Sequence, residues 1–315
     1  MRNKNYMKKR MICGWLATHH VAATLLSGCG AKEAEAPQEV QESAKVEDAP
    51  AEDHSDQIAS GSETIEAVEV VEDGMVPVTA DQLVDGTYDI EVASSSEMFH
   101  IEAATLTVAD GKMTCDMTMG GTGYLYLYMG TGEEAVAATE NDYVNFEEDS
   151  EGAHHFVVPV ASLDSAIDCA AFSKKKEKWY ERQLCFRADS LPLEAFAEGM
   201  YDTVASLGVE DGEYLVDVTL TGGSGKASVD SPAYMWVADG EATVSLVWSS
   251  PNYDYMVVGG EKYLPVNTDG NSQFDIPVAA FNYRMPVTAD TTAMSTPHEI
   301  AYHITLDGDS IKEIQ

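Results

Sequence analysis

The chain repeats itself. Val108-Ala109-Asp110-Gly111-Lys112-Met113-Thr114 leads into Gly121-Thr122-Gly123-Tyr124-Leu125-Tyr126-Leu127-Tyr128-Met129-Gly130, and Val237-Ala238-Asp239-Gly240-Glu241-Ala242-Thr243 leads into Ser250-Pro251-Asn252-Tyr253-Asp254-Tyr255-Met256-Val257-Val258-Gly259. The two copies keep a spacing of 129 residues from the Asp-Gly through the tyrosines, so a whole folding unit has been duplicated. A chain of 315 residues has room for about two domains of ordinary size, in agreement with the repeat.

Each copy opens on an Asp-Gly turn followed by alternating apolar residues, Asp85 to Val92 and Asp211 to Val218, the pattern of a half-buried strand. Further strands are predicted over 105–109 and 234–238, 112–119 and 241–248, 155–163 and 273–281, and finally 182–186 and 301–306. Met113, Cys115, Met117 and Met119 match Ala242, Val244, Leu246 and Trp248 as one inward face. Short strands with regular turn signals predict an all-β class, each copy a two-sheet antiparallel sandwich. Pro159 and Pro277 cannot donate to a ladder and mark an edge or bulge. Ser190-Leu191-Pro192-Leu193-Glu194 starts like a capped helix, predicted to run to about Leu207 as a semi-rigid spacer.

Residues 1–28 hold five basic side chains and no acid, and an apolar stretch from Met11 to Leu26 leads to Leu26-Ser27-Gly28-Cys29. This resembles a bacterial lipoprotein signal whose Cys29 is lipidated, placing the chain on the outer face of the cell membrane with the lipid as its only membrane contact. An ordinary secretory signal or a short retained helix are the alternatives; 16 residues is short for a span. Without residues 1–28, 13 basic side chains face 54 acidic ones, a net charge of −41. Such a surface repels nucleic acid and anionic lipid.

From Ala31 to Asp73 there are 14 acidic residues, two lysines and no aromatic, a composition that predicts a disordered, self-repelling tether. The expected organisation is a signal over 1–28, a tether over 29–78, a first sandwich over 79–190, a linker over 191–209 and a second sandwich over 210–315. Cys115, Cys169 and Cys185 are an odd number, and alternation puts Cys115 inward and Cys185 outward, so free thiols are expected.

No GxSxG, P-loop, HExxH or dinucleotide motif is present, so no enzyme is read here. Lys174, Lys175, Lys176, Lys178, Arg182 and Arg187 are six of the 13 remaining basic residues within 14 positions, beside Trp179 and Tyr180. They form either a lip that attracts an anionic ligand or a solvated loop. Met98 and His100 are either soft-metal donors or packing residues. Tyr124, Tyr126 and Tyr128 alternate onto one face, as a stacking platform for glycan or as filling of the sandwich edge. His298 and Tyr302, four apart, share a strand face.

The opening Asp-Gly-x-Tyr strand, the Val-x-Asp-Gly-Lys-x-Thr hairpin, Phe-x-x-Pro-Val and the ending Thr305-Leu306-Asp307 together resemble near-iron-transporter (NEAT) domains, immunoglobulin-like surface modules that capture haem. The resemblance implies two tandem immunoglobulin-like sandwiches. It also implies haem, or another anionic iron-bearing ligand, for hand-over to an ABC-type importer or other surface protein. By the same resemblance Lys174, Lys175, Lys176 and Lys178 meet carboxylates, Trp179 and Tyr180 stack, and Ser94 and Met98 cover the far face. His298 approaches the metal and Tyr302 orients it. The rival reading is a non-catalytic adhesion or protein- or glycan-binding surface module.

Overall fold

A computed structural model describes residues 56–60, 68–293 and 298–314. Cys29 and the signal expected over 1–28 lie outside the described residues. Among those residues no helix is long and apolar enough to cross a membrane. The described chain is mostly β, arranged in four antiparallel five-stranded sheets.

In the first half, β1 (Gly86–Asp89), β3 (Ile101–Ala109), β4 (Lys112–Met119), β8 (His154–Val160) and β7 (Glu147–Glu148) form one sheet in the order β1-β3-β4-β8-β7. The other runs β2-β10-β9-β5-β6, built from β2 (Val92–Ser94), β5 (Tyr124–Tyr128), β6 (Val144–Asn145), β9 (Ile167–Ser173) and β10 (Lys178–Phe186). The strands of the second half are β11 (Gly212–Val216), β12 (Val218–Gly222), β13 (Ala233–Ala238), β14 (Glu241–Val247), β15 (Tyr253–Val258), β16 (Glu261–Tyr263), β17 (Gln273–Val278), β18 (Met285–Thr291), β19 (His298–Leu306) and β20 (Lys312–Glu313). Its sheets run β20-β11-β13-β14-β17 and β12-β19-β18-β15-β16, so the core strands follow the same order as in the first half.

The repeated Asp-Gly explains the matching hairpins. Asp110 and Gly111 have φ 51° and 71°, and Asp239 and Gly240 have 54° and 76°. Two consecutive left-handed residues are what a tight two-residue hairpin needs, and the Asp-Gly pair tolerates them. Each pair of sheets closes on one core: Leu106, Met117 and Phe156 meet Leu127, Leu184 and Phe186 in the first half, and Met235, Leu246 and Phe274 meet Met256, Tyr302 and Ile304 in the second. The predicted inward residues Met113, Cys115, Met117 and Met119, with Ala242, Val244, Leu246 and Trp248, are all buried. Pro277 lies in the edge strand β17, and Pro159 lies where β8 has a partner on the β4 side alone.

Four expectations are corrected. No continuous helix runs from Ser190 to Leu207; two 3-10 turns, Ala188–Ser190 and Leu193–Ala195, precede the short α2 (Val204–Leu207). Pro192 and the paired backbone of Asp202 with Phe281 hold the chain extended between them. The part of the expected tether that is described is docked. Ala59 N–H donates to Trp179 O (2.8 Å), Trp179 N–H donates to Gln57 O (2.9 Å), Val68 N–H donates to Ser95 O (3.0 Å), and Val70 is buried.

Cys185 is fully buried, because Met75 of that docked segment covers the outer face at its position, Sγ to Sδ 4.0 Å. The three thiols are nonetheless free, as expected. Finally, Tyr124, Tyr126 and Tyr128 do not share a face. A bulge between Tyr124 and Tyr126 reverses the alternation, so Tyr124 packs on the inner core against Phe99 while Tyr126 and Tyr128 join an outer cluster with Trp179.

Candidate functional site

Three elements meet at one end of the first half. The β9–β10 hairpin turns at Lys174–Glu177, with Glu177 at φ 52° and its N–H donating to Ser173 O (2.8 Å). Lys174 N–H donates to Gly123 O (2.9 Å), which ties the turn to the start of β5. Tyr124, opposite Ser173, donates its hydroxyl to Met98 O (3.4 Å) and so ties both to residues 94–100. Lys174, Lys175 and Lys176 are exposed and Met98 is 66% exposed, so all four rim this mouth.

Strand alternation sets what lies beneath. Tyr180 faces Ala171 and Arg182 faces Cys169 across the β9–β10 ladder, and both partners belong to the inner core. The core strand therefore ends, towards the mouth, in a phenol and a guanidinium. Arg182 is only 8% exposed, lies 5.2 Å from the centroid of Tyr180, and donates Nη1–H to Glu181 O at 2.6 Å. Its Nε is buried without a hydrogen-bond partner.

The expected site residues separate into two groups. Met98, Lys174, Lys175, Lys176 and Tyr180 come together here. Lys178 lies half-buried at the start of β10. Ser94 is committed to a turn, donating its hydroxyl to Ser96 O (3.1 Å), and residues 96–99 make a single turn, not a helix. Trp179 is not available for stacking. It is 3% exposed on the opposite face, packed edge-on to Tyr143 (5.0 Å) and Phe172 (5.2 Å) beside α1 (Gly132–Ala137).

The second half closes the same end. Phe186 pairs with Val92 as Leu306 pairs with Val218, so Tyr302 takes the place of Arg182 and His298 that of Lys178. Tyr253 and Trp248 stand 129 residues after Tyr124 and Met119. Trp248 lies 4.1 Å from Tyr253 and 5.1 Å from Tyr302, and the two tyrosine hydroxyls are 3.3 Å apart. Burial, and then the bond to Tyr253, push the Tyr302 phenol well above its ordinary range. Tyr302 is therefore part of an aromatic plug, while His298 is exposed on the strand above it.

Sequence reasoning missed a second cluster. Arg187, counted above with the basic run, lies at the far end of β10. Its guanidinium binds Asp189 (Nη2–Oδ2 2.9 Å) and Glu72 (Nη1–Oε1 2.5 Å). Arg284 binds the same two carboxylates, and His303 Nε2 lies 2.7 Å from Asp189 Oδ2. Burial works to raise the Asp189 carboxyl, but the bonds from His303 and Arg187 outweigh it and hold it at about 2. This cluster floors a cleft of about 1070 Å³ between the halves, walled also by Gly222, Gly223, Gly259 and Gly260. Its charges answer one another, as in a joint. Nothing in the local sequence brings Glu72, Asp189 and Arg284 together; only the fold does.

Among the described residues no group of three or more His, Cys, Asp or Glu side chains is placed to hold a metal ion. No model of a known protein family matches the chain, and comparison with curated proteins finds no match.

Proposed function

We propose that the chain is a lipid-anchored, non-catalytic binding protein on the outer face of a bacterial membrane, built from two immunoglobulin-like domains of NEAT kind, and that its first domain captures an anionic ligand. The observation that carries this reading is the difference between the two mouths. One is rimmed by three exposed lysines over Tyr180 and Arg182; the other is filled by Trp248, Tyr253 and Tyr302. On a chain with 18 basic and 54 acidic side chains, a local positive rim concentrates field on an anion.

Haem is the ligand to try first. The second-domain residues fit it poorly, because the Tyr302 hydroxyl is already bonded inside the plug. The first-domain residues fit better: Tyr180 is half-buried at the mouth, and its hydroxyl has no partner among the described residues. Tyr180 would hold the iron, Met98 would lie over the porphyrin, and Lys174, Lys175 and Lys176 would attract the propionates as the haem enters. A bound haem would supply a metal centre that takes an oxygen donor. With no clustered protein donors among the described residues, an iron that brings its own macrocycle suits this mouth better than a bare ion.

Titration of the mature protein with haemin tests the proposal. A shifted Soret band saturating at one equivalent, weakened when Lys174, Lys175 and Lys176 are all replaced by Gln, is expected. An unchanged haemin spectrum at micromolar protein removes haem as the ligand.

One observation favours a second reading, glycan binding. Tyr234, 38% exposed, and Trp236 lie 5.8 Å apart on the open face of β13. Glycan-array binding lost on Trp236→Ala would support it.

A further inference from the structure

We propose that Arg182 is a receptor for a carboxylate or phosphate group, so that the ligand enters the first mouth with an anionic end inward. This rests on reading that mouth as a ligand site, and it adds the chemical group that the ligand must present to the interior.

A guanidinium taken out of water is costly unless it is paired and its donors are met. The protein shows what it does with an arginine that serves the fold: Arg187 and Arg284 are each shared between Glu72 and Asp189. Arg182 differs. It is as buried as a core residue and pairs with no carboxylate among the described residues, while its Nε, like that of Arg284, is buried without a hydrogen-bond partner. Scarcity of acids is not the reason, since they outnumber bases three to one. The surroundings instead fix its orientation. Nη1 is held by the Glu181 carbonyl, and the Tyr180 ring lies alongside at 5.2 Å. Two contacts thus fix the plane of a five-donor fork whose geometry matches a carboxylate or phosphate in bidentate fashion.

The duplicate half supports the assignment. At the same strand position it carries Tyr302, whose hydroxyl closes on Tyr253, and that mouth needs no ion. Exposed Lys174, Lys175 and Lys176 at the rim would draw an anion in, while Arg182 would orient it.

The test uses the full mature chain with two simple probes, sodium benzoate and inorganic phosphate at constant ionic strength, followed by calorimetry and melting temperature. Arg182→Met keeps the length and removes the charge; Arg182→Lys keeps the charge and loses the fork. Without probe, Arg182→Met should melt at the wild-type temperature or above, because a charge without a partner has been removed. With probe, the wild type should melt higher, and affinity should fall at least about tenfold in Arg182→Met and less in Arg182→Lys. The benzoate and phosphate arms report which anion is preferred.

If Arg182→Met melts lower without probe and neither anion raises the wild-type melting temperature, the guanidinium is a structural group and the inference fails. Haemin separates the two proposals. Haemin bound equally by wild type and Arg182→Met overturns the role of Arg182 and leaves the first-mouth reading intact. Arg182-dependent benzoate binding without haemin binding does the reverse for haem.

Discussion

Asp164 offers a perturbation that the protein has already performed on itself. It sits at φ 51° with its N–H donating to Phe186 O (2.8 Å) and its Oδ1 accepting from Ala188 N–H (2.8 Å). In the second half Asn282, at φ 55°, makes the same bonds to Leu306 O (2.8 Å) and from Gly308 N–H (3.0 Å). Either residue tolerates the left-handed backbone and supplies the oxygen, but only Asp164 carries a charge. Burial is the chief cause that pushes its carboxyl up to about 6, against an ordinary 3.8; the Ala188 bond opposes this and the charge of Asp189 adds to it.

A carboxyl raised in the folded state destabilises the fold wherever it must ionise. From 3.8 to about 6 the difference corresponds to about 3 kcal/mol at pH 7, fully present above pH 6 and gone below pH 4. Asp164→Asn removes that cost and keeps the turn. The new amide would lack the acceptor that Asn282 Nδ2 finds in Asp202 (2.8 Å), since Val78 holds the matching place, so a net gain of about 1–2 kcal/mol is expected. Urea unfolding followed by tryptophan fluorescence, at intervals from pH 4 to 8, measures it. The gain should be largest at pH 7–8 and reverse by pH 4, where the ionisation cost has gone and the amide's missing acceptor leaves the variant about 1 kcal/mol less stable than the wild type. A variant less stable than wild type at pH 7, or a difference that does not vary with pH, would refute the reasoning.

Asp189→Asn should cost about 3–5 kcal/mol, because Arg187 and Arg284 are left without their shared buried partner; equilibrium unfolding reads it directly. Asp189 is lowered to about 2, so the stability it confers is complete above pH 4 and is lost as pH falls towards 2; this acid limb should be missing from the variant. Tyr302→Phe should lower stability by about 1 kcal/mol through the lost bond to Tyr253, measured by thermal melting. Burial raises the Cys115 and Cys169 thiols to about 12 and the Cys185 thiol to about 11, so iodoacetamide should label none of the three in the native protein and all three in urea. Mass spectrometry showing native labelling at Cys185 would mean that the segment around Met75 does not cover it.

The parts of the fold legible from sequence were those written in local periodicity. The Asp-Gly pairs announced both hairpins, and the alternation of Met113 to Met119 and of Ala242 to Trp248 announced both inward faces. Alternation also held the signal for Arg182, which runs in phase with Leu184 and Phe186, but abundance of lysine nearby made it look like part of the rim. Where one extra residue enters a strand, periodicity misleads: the bulge at Tyr124 turned one tyrosine inward and two outward. Where a distant segment supplies the cover, it is silent. Cys185 and Trp179 lie on the outer face by parity; Met75 covers the first, and α1 with Tyr143 and Phe172 covers the second. The joint ties Arg284 to Glu72 across 212 residues and to Asp189 across 95, and only its Arg187–Asp189 pair, two residues apart, is local.

The claim that the two mouths differ in function is tested most directly by titrating haemin into Tyr180→Phe and Tyr302→Phe side by side and following the Soret band. The first variant should lose the shifted band and the second should keep it, at one equivalent per chain. Loss in Tyr302→Phe with retention in Tyr180→Phe would place the ligand in the second half and contradict the account.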